Sequence, residues 1–211
     1  MKHEWKKEEK QYYAPKNRPE SLRVPEFKFF TIEGEGNPND PFFSDYIGVL
    51  YSLSYGVRMS HKQGIAPPDY FEYTVYPLEG VWDLIDKSKY DPNRPLDKNN
   101  LKFKLMIRQP DFVTPDFARQ IRERTEKKKP HQLLTSVKFE KIEEGLCVQM
   151  LHLGSYDDEP QTFSVMEQYC QEKKLIRASK VHREIYLSDA RKTAPEKMKT
   201  ILRFKVSVPE H

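Results

Sequence analysis

Hydrophobic and polar positions alternate with a period of two in some stretches of this chain and recur every three to four residues in others. Leu101, Phe103, Leu105 and Ile107 alternate with Lys102, Lys104, Met106 and Arg108, which predicts a strand with Met106 among the polar set. Leu22–Ile32 reads as an earlier strand, with Pro25 at an edge or bulge and Gly34 and Gly36 ending it. Asp40-Pro41 has the form of a cap followed by a first-turn proline, opening a helix to about Lys62 with Ile47, Leu50, Ser54 and Val57 on one stripe. Tyr70–Tyr76 is predicted as an aromatic strand, broken at Pro77-Leu78-Glu79-Gly80 before Val81-Trp82. Lys87–Asn100, with Pro92 and Pro95, is a polar loop, and Thr114-Pro115 starts a second capped helix to about Lys129.

The same alphabet repeats further on. Val137–Ile142 begins a strand that continues through Leu146, Val148 and Met150 and breaks at Gly154-Ser155-Tyr156-Asp157-Asp158. Pro160–Lys174 is a helix with Phe163, Met166, Tyr169 and Cys170 at helical spacing. In the segment from His182 to Asp189, Val181, Ile185 and Leu187 fall on one face and His182, Glu184 and Tyr186 on the other. Thr193-Ala194-Pro195-Glu196 has capping-box form, and Thr200–Val208 is a closing strand with Leu202, Phe204, Val206 and Val208 inward. The order strand, helix, strand, strand thus occurs twice. It predicts an α+β fold in one domain, a tandem duplication of modules at about 20–110 and 135–209 with antiparallel sheets and a ligand cavity between them. An N-terminal arm, 1–19, docks its Tyr12-Tyr13 pair, and a linker helix spans about 114–129.

Composition narrows the function classes. The chain has 211 residues and a net charge of +4, with 36 Lys and Arg against 32 Asp and Glu, too balanced to predict direct nucleic-acid binding. Twelve Tyr and twelve Phe argue for a packed, ring-rich protein. Cys147 and Cys170 lack metal-ligand spacing and read as buried fillers, and no secretory leader or membrane span is visible, so a cytoplasmic protein is expected.

The chemistry-bearing residues leave alternatives open. The face carrying His182, Glu184 and Tyr186 is either the wet side of a sheet or the lining of a cavity, where a partly desolvated carboxylate serves as a base or orients a ligand. Tyr51 and Tyr55 lie on one helical side, either presenting two rings to a flat ligand or packing on the sheet with their hydroxyls in water. Trp82 is a core plug or a pocket wall. A zinc set of His152, His182 and Glu184 is conceivable, but strand histidines are usually just hydrogen-bonded, and neither a metal nor an organic cofactor is expected.

EFKFFTIEGEGNPND (Glu26 to Asp40), VYPLEGVWDL (Val75 to Leu84), LMIRQPDFVTP (Leu105 to Pro115), HLGSYDDEP (His152 to Pro160) and HREIYLSDARKTAPEKMKTILR (His182 to Arg203) together resemble the GyrI-like small-molecule-binding family, in combination and in order. The resemblance implies two strand-helix-strand-strand modules enclosing a ligand cavity, with Glu184 matching the family's anchoring glutamate. Members include the drug-sensing domains of bacterial multidrug-responsive activators, a small protein inhibitor of DNA gyrase, and hydrolases that open the cyclopropane ring of DNA-alkylating natural products of the yatakemycin kind. The two modules and the arm use up the length, so no DNA-reading module is expected. The implied activity is cofactor-independent detoxifying hydrolysis. Glu184 would orient or deprotonate water and Tyr186 or Tyr156 would donate to the developing phenolate oxygen, while Trp82, Tyr55, Tyr51 and Met106 form flat walls and His182 lies beside the glutamate. The alternatives are a non-catalytic binder of aromatic or cationic drugs and a gyrase-inhibitor-like interaction protein. The expected partner is an aromatic small molecule, and the expected state a monomer or weak dimer.

Overall fold

The computed structural model of the chain describes residues 2–91, 94 and 96–209. In chain order the elements are helices α1 (Trp5–Glu8) and α2 (Lys10–Tyr13), strand β1 (Glu20–Glu35), helix α3 (Phe43–Arg58), strands β2 (Leu78–Leu84) and β3 (Leu101–Gln109), helix α4 (Pro115–Lys128), strand β4 (Lys138–Leu153), helix α5 (Glu159–Glu172) and strands β5 (Ile176–Arg177), β6 (His182–Tyr186) and β7 (Lys199–Ser207). This is a mixed architecture with antiparallel pairing. Contacts divide it into two compact units, Met1–His3 with Phe27–Ile142 and Glu4–Glu26 with Glu143–His211. No helix among the described residues is long and apolar enough to cross a membrane.

In the first unit β3 is the middle strand, antiparallel to β1 (Phe30↔Ile107) and to β2 (Gly80↔Leu105). Its alternation is real, but both faces are covered at its end: Met106, Ile107, Arg108 and Gln109 are all buried, so Met106 does not belong to an exposed polar set. The predicted Tyr70–Tyr76 strand does not form. Tyr73 makes only an isolated bridge with His3, and the rings of Tyr70, Phe71 and Tyr73 instead gather around Phe112. Of the residues expected to break that strand, Leu78, Glu79 and Gly80 are themselves the start of β2. Helix α3 begins at Phe43, beyond Asp40-Pro41, with no side-chain cap, and gives way after Arg58 to a 3-10 turn, Ser60–Gln63. Helix α4 starts as the sequence predicts, with the Thr114 hydroxyl accepting from the Phe117 amide at 3.1 Å. Of the polar loop Lys87–Asn100, Pro92 and Pro95 lie outside the described residues.

In the second unit β7 is central, with β4 on one edge (Val148↔Phe204) and β6 on the other (Glu184↔Leu202), while β5 pairs with its far end. Strand alternation places Val148, Met150, Leu202, Phe204 and Val206 on one face, where Met166 and Cys170 of α5 cover them and Phe163 and Tyr169 pack alongside. The helical stripe therefore does what its spacing predicts. Val208 does not: it is exposed, one residue past the end of β7. The capping-box sequence yields only a three-residue 3-10 turn, Pro195–Lys197, with no side-chain cap, because β7 starts too soon for a helix to propagate.

The opposite face of this sheet is buried under the arm, and its contents are ionic. Trp5 and Tyr13 are buried with their ring centroids 5.2 Å apart, while the Gln11 and Tyr12 carbonyls accept from Gln149 Nε2 at 2.7 Å and Arg203 Nη2 at 2.8 Å. Of the predicted docking pair, Tyr13 supplies its ring and Tyr12 its carbonyl.

Candidate functional site

The site is assembled on β6, which carries charge on both faces. Behind the strand, Arg183 Nε lies 3.0 Å from Glu144 Oε1, and Arg203 Nη1 lies 2.9 Å from Glu144 Oε2. Burial alone would push the Glu144 carboxyl up, but the two guanidiniums together outweigh it and hold the group below the usual carboxylate range. Arg203 also binds Gln149 Oε1 through Nε at 3.1 Å and Nη2 at 2.8 Å. This cluster fixes one face of β6, and with it the direction of the other.

His182, Glu184 and Tyr186 occupy that other face, the one α5 covers. Glu184 is only 8% exposed, so the wet-face alternative does not hold for it. The Tyr186 hydroxyl donates to Glu184 Oε2 at 2.8 Å, and His182 Nε2 lies 3.1 Å from Glu184 Oε1, with the His182 ring edge-on to Phe163 at 4.8 Å.

The remaining groups arrive from the turn between β4 and α5. Gly154, at φ +126°, makes a reversal that side-chain-bearing residues rarely adopt, and a 3-10 turn (Tyr156–Asp158) leads into α5 at Glu159-Pro160. His152 staples this turn. One ring nitrogen, Nε2, lies 2.8 Å from the Ser155 carbonyl, and the other, Nδ1, lies 2.8 Å from the Thr162 hydroxyl. The carbonyl can only accept, so Nε2 donates to it and Nδ1 accepts from Thr162. With both nitrogens engaged, His152 takes no part in a zinc set.

The turn delivers Tyr156, whose ring stands edge-on to Tyr186 at 5.9 Å and 84°, and Glu159, which is 7% exposed. Burial pushes the Glu159 carboxyl well above its ordinary value of 4.5, and the adjacent Glu184 adds to this by its charge and by hydrogen bonding. Glu159 therefore keeps its proton to higher pH than an ordinary carboxyl, although it sits at a helix N-terminus, where the dipole favours the anion. Burial, followed by the charges of Glu184, Glu159 and Asp189, pushes the Tyr156 hydroxyl up to about 12, so it is a neutral donor. A carboxyl that keeps its proton beside a second carboxylate, with a phenol at each side, can bind a cationic or polar ligand, or take a proton from water and return one. One ligand atom each from Glu159, His182 and Glu184 lies within 4.8 Å of the others, the set that could hold a metal ion.

Of the residues singled out in the sequence, Glu184, Tyr186, Tyr156 and His182 come together here. Tyr51, Tyr55, Trp82 and Met106 belong to the first unit. There Trp82 is buried against Phe43 and Phe103, Met106 is fully buried in β3, and the Tyr51 and Tyr55 rings lie 6.2 Å apart with Tyr55 about half exposed. Glu159 was not anticipated. In Asp157-Asp158-Glu159 it looks like one more acidic helix start, and only its proximity to Pro160 and the apolar stripe of α5 marks it.

The chain matches the GyrI-like small-molecule-binding-domain model over residues 18–206. Among solved structures it is similar to a conserved protein of uncharacterised function from Listeria innocua, at 40% identity over 98% of this chain and 100% of that one, with a TM-score of 0.88. It is also similar to two solved structures of a hydrolase from the same organism, at 38% and 39% identity with the same coverage and TM-scores of 0.87 and 0.88. No curated protein matches. On the family model and these relatives, this chain belongs to the GyrI-like small-molecule-binding domain family.

Proposed function

We propose that this protein is a cofactor-independent hydrolase that opens the cyclopropane ring of cyclopropanoid DNA-alkylating compounds and so detoxifies them in the cytoplasm. The observation that carries the reading is the buried Glu184 carboxylate, held by the Tyr186 hydroxyl and flanked by the buried Glu159, whose carboxyl is pushed up by burial and by Glu184. The hydrolase relatives from Listeria support hydrolysis as the reaction class.

A spiro-cyclopropane conjugated to a dienone reacts when water attacks its methylene carbon. The carbon–carbon bond breaks, its electron pair aromatises the ring, and the former dienone oxygen becomes a phenolate. Glu184 takes the proton from the attacking water. Tyr186 already donates to Glu184, so it holds the base in place, and the neutral Tyr156 hydroxyl is left to donate to the developing phenolate oxygen. The product is the substrate plus one water, with a hydroxyl on carbon and a hydrogen on the phenol oxygen.

The test is incubation of the purified chain with such a compound, reading the mass gain of one water. Glu184→Gln is expected to lower turnover by about 100-fold or more, the usual worth of a general base. Equal turnover by that variant removes the proposed role. A second reading, a non-catalytic binder of flat organic cations, is favoured by paired carboxyls beside the Tyr156, Tyr186 and Phe163 rings. Quenching of intrinsic fluorescence by the compound, without product, would select it.

A further inference from the structure

We propose that Glu159, His182 and Glu184 form a binding site for a divalent transition cation of the zinc and cobalt class, and that this cation and the organic ligand exclude one another. The three side chains place a ligand atom each within 4.8 Å of the other two. Independently of that convergence, Glu159 is more than nine-tenths buried and its Oε1 has no hydrogen-bond partner among the described residues. A buried carboxyl oxygen left in that condition costs roughly 1–3 kcal/mol. A cation removes the deficit.

His182 is placed for the same role. Its Nδ1 lies 3.3 Å from the Lys180 carbonyl and its Nε2 lies 3.1 Å from Glu184 Oε1. Both of those oxygens accept, so with Nδ1 donating to the carbonyl the Nε2–carboxylate contact is bridged by a hydrogen, whose place a metal ion can take. A carbonyl behind the distal nitrogen is also the usual outer partner of a metal-bound imidazole. Tyr186 does the equivalent for the carboxylate: it occupies Glu184 Oε2 and leaves Oε1 toward the imidazole. One imidazole and two carboxylates suit zinc and cobalt(II), with open positions filled by water.

The mutual exclusion rests on the proposed function, because it assumes that the organic ligand uses Glu184; the metal site does not. Cobalt(II) is therefore titrated into the metal-free chain and its visible d–d absorption followed, a signal that needs no turnover. Saturation at one equivalent is expected, with Glu159→Gln and His182→Gln weakening apparent affinity more than tenfold and Tyr186→Phe by about 10-fold, the ordinary cost of losing an outer-shell partner. A band that never forms, or that survives both ligand substitutions unchanged, overturns the site. Should His182→Gln fail to fold, the cobalt-shifted imidazole resonances of the unsubstituted chain decide instead, and their absence at saturation overturns the assignment. Adding the cyclopropanoid compound to cobalt-loaded protein should displace the metal and bleach the band. If the compound binds while the band persists, exclusion is refuted and the metal site stands. If ring opening is never observed while the band forms and responds to the substitutions, the hydrolase reading fails and the metal site again stands.

Discussion

Replacing Glu159 by Gln should make the protein more stable at neutral pH and flatten the dependence of its stability on pH. The folded state holds the Glu159 carboxyl well above 4.5, through burial and then through Glu184, whereas in the unfolded chain the group titrates near that ordinary value. Between the two values the native state carries one proton more than the unfolded state. Its stabilising effect is therefore complete below about 4.5 and is lost as pH rises through the raised folded-state value. The slope for one proton is about 1.4 kcal/mol per pH unit. For a chain of this length that is a fall in Tm of roughly 3–6 °C per pH unit. Gln keeps the shape and a donor toward Glu184 but has no proton to lose, so its curve should lack this component. The assay is thermal or urea unfolding of both proteins in steps from about pH 4.5 upward, where the raised group titrates. Subtracting one curve from the other cancels the six histidines, which both share. Parallel curves would refute the reasoning, since they would mean that Glu159 ionises freely and no proton is held between the two carboxyls.

The ion cluster behind β6 has the opposite sign. The arginines hold the Glu144 carboxyl low, so its contribution is present above about 4.5 and is lost as pH falls through the depressed folded-state value. Glu144→Gln should cost roughly 3–5 kcal/mol at neutral pH, because it leaves two buried guanidiniums without their anion, and urea midpoints that match the parent sink the claim. Met166→Ala, at a fully buried position of α5, should cost about 2–5 kcal/mol by the same measurement; under 1 kcal/mol would mean that α5 does not cover the sheet as described. Gly154→Ala should destabilise the turn through its backbone, since the added methyl meets nothing nearer than 3.6 Å. A variant with unchanged Tm would show that the turn relaxes out of the positive-φ region.

Where local signals and burial agree, the sequence was legible. Strand β3 showed in its alternation, α4 in Thr114-Pro115, and α5 in the spacing of Phe163, Met166 and Cys170. Tyr70–Tyr76 was misread because aromatic residues favour strands for the surface they bury, and these rings bury it against Phe112 without any sheet pairing. The charged positions were hardest. Alternation sends Arg183 and Arg203 to solvent or to the core according to their neighbours, yet they are buried because each finds Glu144, a partner 39 or 59 positions away that no local pattern can supply.

That failure bears on what β6 is for. Arg183 and Glu184 are adjacent in sequence and point to opposite faces of one strand, and both are buried. Behind the strand, Glu144 balances the guanidiniums and further hydrogen bonds reach Gln149 and the Tyr12 carbonyl. On the α5 side two carboxyls meet with no guanidinium between them, one oxygen of Glu159 has no hydrogen-bond partner among the described residues, and burial with the neighbouring Glu184 pushes the Glu159 carboxyl up. A fold selected for stability alone gains nothing from the second arrangement, and a well-packed apolar pair would serve better. Because the ion-paired cluster holds β6 from behind, the two carboxyls on its other face stay together despite the cost of burying them side by side.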